Sequence, residues 1–202
     1  MPLKCYLNKY LLKLSSSERD ISFSSVTGRY GKFTLYCILG PKENIVHLTF
    51  AANKHRKALQ QLSSISPLIS IRALQMKDFP CHSVFQDYFC GKRSDFPITV
   101  ESPFLEAGTD FQKKIWRGIK TIPYGTCITY QKLAELAGSP KGSRAAGMAC
   151  GANPVSLIIP CHRVVAVNGL GGFAGGLAAK KALLALEHAG SNSVNSSGQS
   201  SC

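Results

Sequence analysis

Cys161 and His162 stand side by side in the stretch PVSLIIPCHRVV, which runs from residue 154 to residue 165. A free thiol, with a pKa of about 8.5, is mostly protonated at neutral pH, and only its thiolate is a nucleophile. An adjacent imidazole can take that proton, directly or through a water. A carboxylate behind the imidazole then selects its tautomer and favours its cation. The C-terminal half holds four acids: Glu106, Asp110, Glu135 and Glu187. Glu187 follows Leu183-Leu184-Ala185-Leu186, a run that packs a helix inward, and is the expected third member. Alone, Cys161 reads equally well as an inert core cysteine, and His162 reads better as a satisfied core histidine. Their adjacency behind Pro160, inside aliphatic sequence, favours a nucleophile with its base.

These residues must be held by a folded chain. The protein has 202 residues, 45% hydrophobic and 17% charged, which excludes a disordered chain and suits one large domain or two small ones. Its formal charge is +13, which favours a polyanionic partner such as nucleic acid or an acidic membrane surface. The basic excess is spread along the chain and does not locate a binding face. Eight cysteines lie at 5, 37, 81, 90, 127, 150, 161 and 202 with no Cys-x-x-Cys, so a zinc finger or a thioredoxin-like site is not expected. The apolar stretch 6–14 is interrupted by Asn8, Lys9 and Lys13, and is too short for export or spanning. Free thiols in a reducing, cytoplasmic setting (nuclear in a eukaryote) are the expectation, with no membrane association.

Residues 32–39 and 45–51 are rich in β-branched and aromatic types and flank Gly40-Pro41-Lys42-Glu43-Asn44, which predicts a β-hairpin. Helical spacing predicts short helices over 55–62 and 79–89. Pro97 and Pro103 mark an extended connector, and a domain boundary is expected there. Asp110 is expected to cap a helix through 119. Thr129 caps another over 130–137, which Gly138 stops. Ser139-Pro140 then predicts a further helix through about 150. It carries Arg144 among very small residues: Gly142, Ser143, Ala145, Ala146, Gly147 and Ala149. Helix, glycine turn, helix is the geometry of helix-turn-helix readers of DNA. Residues 164–167 look strand-like, 168–176 form a glycine-rich loop, and 180–188 a closing helix. The Ser/Asn/Gly-rich tail 191–202 is expected to be disordered.

Pro160-Cys161-His162-Arg163-Val164 resembles the active-site signature of the O6-alkylguanine-DNA alkyltransferases, the methylated-DNA–protein-cysteine methyltransferases. The likeness runs from about Phe111 to Gly190. It includes Phe111-Gln112, Trp116, Ile122-Pro123-Tyr124-Gly125, Thr129-Tyr130, Leu136-Ala137-Gly138 and Arg144-Ala145. It continues through Gly147, Asn153-Pro154, Ala174-Gly175-Gly176-Leu177 and the run ending at Glu187. The N-terminal half matches loosely, in its strand–helix order and in Tyr88-Phe89-Cys90-Gly91.

The resemblance implies an α/β protein. A small N-terminal α/β domain with an antiparallel sheet and its linker (1–103) precedes a mostly helical catalytic and DNA-binding domain (104–190) with a helix-turn-helix, then the tail (191–202). It implies DNA repair by direct reversal. The base is flipped out of duplex DNA, and the alkyl group of O6-alkylguanine (and of O4-alkylthymine) moves once onto Cys161. His162 acts as base through a water and Glu187 orients it. Arg144 is the finger that fills the gap, Tyr130 contacts the flipped nucleotide, and Asn153 orders the turn before the cysteine. Gln112, Gln131 and Ser139 contact the DNA backbone, and Pro160, Val164, Phe173, Ala174 and Gly175 line the pocket. No cofactor, no metal and no obligate protein partner are implied, and a monomer is expected. Some members bind zinc in the N-terminal domain, but Cys5, Cys37, His47, Cys81 and His82 do not match that pattern. Members of another branch carry a tyrosine–serine pair where this chain has Phe173-Ala174, which removes two hydroxyls near the pocket. The alternatives are a damage sensor that binds without reacting, a Cys–His–Glu hydrolase, and a transcription regulator. The present Cys161 opposes the sensor, and the first hundred residues lack the clustered cysteines of the regulator.

Overall fold

The structure, a computed structural model, describes residues 5, 6, 9, 21–65 and 69–196. The chain divides into two compact units, one of residues 1–83, 97–109 and 154–156, the other of 84–96, 110–153 and 157–202.

The first unit is built on a four-stranded sheet. Strand β1 (Ile21–Tyr30) turns through Gly31-Lys32 into β2 (Phe33–Leu39), with Tyr30 paired to Phe33. Gly31 has φ 56°, the left-handed conformation that a two-residue hairpin turn demands. The expected hairpin follows, β2 pairing antiparallel with β3 (Ile45–Thr49). Helix α1 (Ala52–Ser63) then carries the chain to β4 (Ile69–Ala73), and the strand order is β3-β2-β1-β4. Phe23, Ile38, Val46, Ala58 and Leu62 form the core between sheet and helix.

The sheet departs from all-antiparallel at one edge, because β4 runs parallel to β1. A strand reached through a crossover helix points the same way as the strand before that helix, here β3. The sequence reading missed β1, whose alternation is blurred by Ser24 and Ser25, and β4, whose residues are all exposed or half-buried. Helix α2 (His82–Phe89) ends at the expected residue, and a short helix α3 (Pro103–Glu106) follows the connector. Residues 154–156 join the first unit through Leu48 N donating to Pro154 O (2.9 Å) and Ser156 N donating to Leu48 O (2.8 Å).

In the second unit, helix α4 (Asp110–Lys120) buries Ile115, Trp116 and Ile119 on one face. Strand β5 (Ile128–Thr129) pairs in parallel with β6 (Val164–Val165). Between them lie helices α5 (Tyr130–Leu136) and α6 (Ser143–Gly151), and α7 (Leu177–Ser196) closes the unit. The Thr129 hydroxyl caps α5, accepting from Lys132 N at 3.1 Å. The indole of Trp116 donates to Ala149 O at 2.9 Å, tying α4 to α6.

Four expectations are corrected. Asp110 lies in the first turn of α4 and not ahead of it, still suited to the positive end of the helix dipole. The second helix of the pair starts at Ser143, not at Pro140. Ser139 O accepts from Gly142 N at 2.8 Å, so Pro140 occupies the second position of a β-turn, where its fixed φ serves equally well. The single boundary near 103 is replaced by several crossings. Residues 84–96 belong to the second unit, where the Tyr88 hydroxyl donates to Glu187 Oε1 at 2.6 Å and the Tyr88 ring meets that of Tyr124 edge-on, with centroids 6.2 Å apart. Residues 191–196, expected to be disordered, continue α7, since extending an existing helix costs far less than starting one. Residues 197–202 and most of the 6–14 stretch lie outside the described residues.

Candidate active site

Cys161 opens a one-turn 3-10 helix, Cys161–Arg163, directly after Pro160. The turn before it is held by Asn153, whose side-chain amide donates to Ile159 O at 2.7 Å, while Cys161 N donates to the same carbonyl at 2.8 Å. Cys161 is 6% exposed, and His162 and Glu187 are fully buried.

Glu187 is the hub. Its Oε1 accepts from His162 Nε2 at 2.7 Å, from the Tyr88 hydroxyl at 2.6 Å and from Arg163 Nη2 at 2.9 Å. Its Oε2 accepts from Arg163 Nε at 2.9 Å and from Gly125 N at 3.2 Å. Arg163 also donates through Nη1 to Ile122 O at 2.7 Å. Burial alone would push this carboxyl up, but the hydrogen bonds and charges of His162 and Arg163 hold it down at about 2. It is therefore a buried anion that accepts five hydrogen bonds, so its own two oxygens are well satisfied.

This arrangement decides the state of His162. Burial lowers its pKa, and the bond to Glu187 raises it only partly, so the ring rests neutral. With Nε2–H given to the carboxylate, the proton-free nitrogen is Nδ1, which has no hydrogen-bond partner among the described residues. The imidazole is thus a base with its lone pair unengaged.

Helix α5 supplies Tyr130, whose hydroxyl donates to Gly172 O at 3.1 Å. Burial, then negative charge at Cys150 and Cys161, raises its pKa to about 12, so at neutral pH it is a donor. Gly171, at φ 66°, lies against that ring. A Cβ there would come within 2.5 Å of it, so only glycine allows the loop to close over Tyr130.

Fully buried Lys180 reaches the same loop from α7, donating to Val164 O at 2.5 Å and to Gly172 O at 3.2 Å. Its ammonium stands 5.6 Å from the Tyr130 ring centroid. Burial pulls its pKa down, while negative charge at Cys161, Cys150 and Cys127 pulls it back up. A cation is therefore within electrostatic reach of Cys161.

The remaining expected residues fall into two groups. Pro160 and Val164 are buried, Phe173 and Gly175 half-buried and Ala174 exposed, with the Phe173 ring centroid 6.5 Å from that of His162. Arg144 and Gln131 are exposed, while Gln112 and Ser139 are half-buried. Sequence reasoning passed over Arg163, Tyr88, Gly125 and Lys180. Lys180 and Arg163 each carried a signal, a charge inside an apolar run. Lys180 also lies seven residues before Glu187, on the same helix face. Tyr88 and Gly125 carried none. Among the described residues no three or more His, Cys, Asp or Glu side chains cluster as a metal site, and no helix is long and apolar enough to cross a membrane.

Helices α5 and α6 and the buried Cys161, His162 and Glu187 lie in the same compact unit, and this is the part of the chain that the family comparison matches. The family profile described as "6-O-methylguanine DNA methyltransferase, DNA binding domain" matches residues 110–189. A methylated-DNA–protein-cysteine methyltransferase of Mycolicibacterium paratuberculosis is 44% identical over 101 residues, 50% of this chain and 59% of that protein. The chain thus spans about six-tenths of the length of the curated relative it matches. A crystal structure of a Mycobacterium tuberculosis OGT variant superposes with TM-score 0.66 at 30% identity, covering 82% of this chain and 93% of that one. M. tuberculosis OGT solved in complex with DNA superposes with TM-score 0.64 at 28% identity, over 84% of this chain and 94% of that one. The chain belongs to the O6-methylguanine-DNA methyltransferase family.

Proposed function

We propose that this protein repairs DNA by direct reversal, taking the alkyl group of O6-alkylguanine, and of O4-alkylthymine, onto Cys161. The observation that carries this reading is the proton-accepting Nδ1 of His162, next in sequence to Cys161 and oriented by an ionised, fully bonded Glu187.

The proton of Cys161 passes to His162 Nδ1, directly or through a water, and the Glu187 carboxylate stabilises the imidazolium that forms. Lys180 adds a second cation that favours the thiolate. The sulfur attacks the alkyl carbon, the S–C bond forms and the C–O6 bond breaks. The electron pair goes to guanine, which leaves as an anion hydrogen-bonded by the Tyr130 hydroxyl. A base inside the duplex cannot reach Cys161, so it is flipped out, at a cost of roughly a few kcal/mol. Arg144, exposed on α6, fills the gap. Gln112, Gln131 and Ser139 bear polar groups suited to phosphate oxygens. Pro160, Val164, Phe173, Ala174 and Gly175 enclose the flipped base. The product is a thioether, and no described residue offers a route to remove it, so each molecule acts once. The reaction draws on no cofactor, and a monomer is sufficient for it.

Incubation with a duplex containing O6-methylguanine, followed by intact-protein mass spectrometry, tests this. One methyl adduct per protein, on the peptide holding Cys161, supports suicidal transfer. Tight binding without an adduct identifies a damage sensor, and turnover of an acyl substrate a hydrolase.

A further inference from the structure

Helix α6 buries Ala146, Ala149 and Cys150. Its opposite face carries two large side chains, Arg144 and, four residues on, Met148. Residues four apart project from the same side of a helix. Met148 is 72% exposed, the most exposed large hydrophobic residue among the described ones. Its neighbours on the open surface, Ser143, Ala145, Gly147 and Gly151, are small, so the thioether chain stands clear of the helix beside Arg144. Nothing in the free protein explains it. Alanine would serve the helix at least as well and leave less apolar surface in water.

We propose that Met148 is a second minor-groove element, a non-ionic wedge set one helical turn from Arg144. This inference rests on the reading of α6 as the DNA-contacting helix. Four residues of helix rise about 6 Å, slightly under two base-pair steps of about 3.4 Å each. A helix laid along the groove therefore aims Met148 about two base-pair steps from the place that Arg144 enters. The minor groove is about 6 Å wide, its walls are deoxyribose, and an unbranched, polarisable thioether adapts to such a surface. Methionine is among the apolar side chains that wedge base steps open from this groove. Arg144 contributes charge and a site to fill. Met148 contributes apolar contact that helps hold the duplex open while the base is outside it.

The test measures affinity and repair rate on an O6-methylguanine duplex across a salt series, with free O6-benzylguanine as a substrate that needs no flipping. Met148→Ala should weaken duplex affinity about tenfold, the loss expected for most of one buried apolar side chain. The slope of affinity against salt should stay as in wild type, because no charge is lost, whereas Arg144→Ala should flatten it by about one unit. The ratio of duplex to free-base rates should fall with Met148→Ala, and Met148→Leu should restore it. Equal duplex affinity for Met148→Ala and wild type, or equal losses on duplex and free base, would overturn the wedge while leaving the DNA reading intact. A wild-type protein that does not bind the duplex would overturn the DNA reading, and the wedge with it.

Discussion

Two buried histidines, one in each unit, show what a partner does to an imidazole. His162 faces Glu187 at 2.7 Å, and burial and the carboxylate pull its pKa in opposite directions. His47, on β3, is almost as deeply buried, yet neither ring nitrogen has a hydrogen-bond partner among the described residues. It stacks on His55 with centroids 6.3 Å apart and meets the Phe104 ring edge-on at 5.7 Å. Burial, then the charges of His55 and Lys54, push its pKa down to about 3. Both rings rest neutral at pH 7, but for different purposes. His47 behaves as a flat, apolar-packed ring, and protonation would bring only cost. His162 has an anion waiting behind it, so a proton taken from a thiol finds a place to stay. Burial makes a histidine neutral, and the carboxylate makes it a base.

The contrast can be broken most severely at the nucleophile. Cys161→Ala should abolish the methyl adduct in intact-protein mass spectrometry while duplex binding persists. Retained transfer would move the acceptor to another cysteine and remove His162 from its role. Next in size is Glu187→Gln, which keeps the shape and deletes the charge. Transfer should slow on the order of a hundredfold, the scale of losing a positioned base. Stability should drop by about 3–5 kcal/mol, because Arg163 is left buried without its counterion. Stopped-flow rates and denaturant titration measure the two effects, and a stability loss with an unchanged rate would make Glu187 purely structural. Arg144→Ala should lower the ratio of duplex to free-base rates about tenfold or more, since unstacking costs a few kcal/mol. An equal loss on both substrates would show that the arginine is not a flipping device.

The pH dependence of stability sharpens the same comparison. A histidine held neutral in the fold takes up its proton only in the unfolded chain. The fold therefore loses stability as pH drops below about 6.5, at up to about 1.4 kcal/mol per pH unit for His47 until its folded pKa of about 3. Glu187 adds a separate loss that begins near 4.5 and continues towards about 2, as its stabilised anion is protonated. His47→Leu should flatten the stability curve between pH 6.5 and 4.5, and Glu187→Gln should flatten it below. The smallest effect comes last: at neutral pH His47→Leu should change stability by no more than about 1 kcal/mol, because it deletes no hydrogen bond. A large loss there would mean that the ring is paired in solution.

What the sequence determined by itself was mostly local. The hairpin between β2 and β3, the Thr129 cap, the apolar face of α4 and the adjacency of Cys161 and His162 all rest on residues within a few positions of each other. Turn chemistry and helical period are readable at that range. Glu187 was reachable as well, because few acids compete with it and its helix shows an apolar face. Its other four bonds were not. Tyr88 lies 99 residues away and Gly125 62, and nothing in their local sequence points to a carboxylate. The parallel placement of β4, the return of residues 84–96 to the second unit and the burial of Lys180 beneath the glycine loop belong to the same class. Each depends on which distant surfaces meet when the chain closes on itself, and that choice is made by packing and by satisfying buried polar groups. Only the tertiary structure states the outcome.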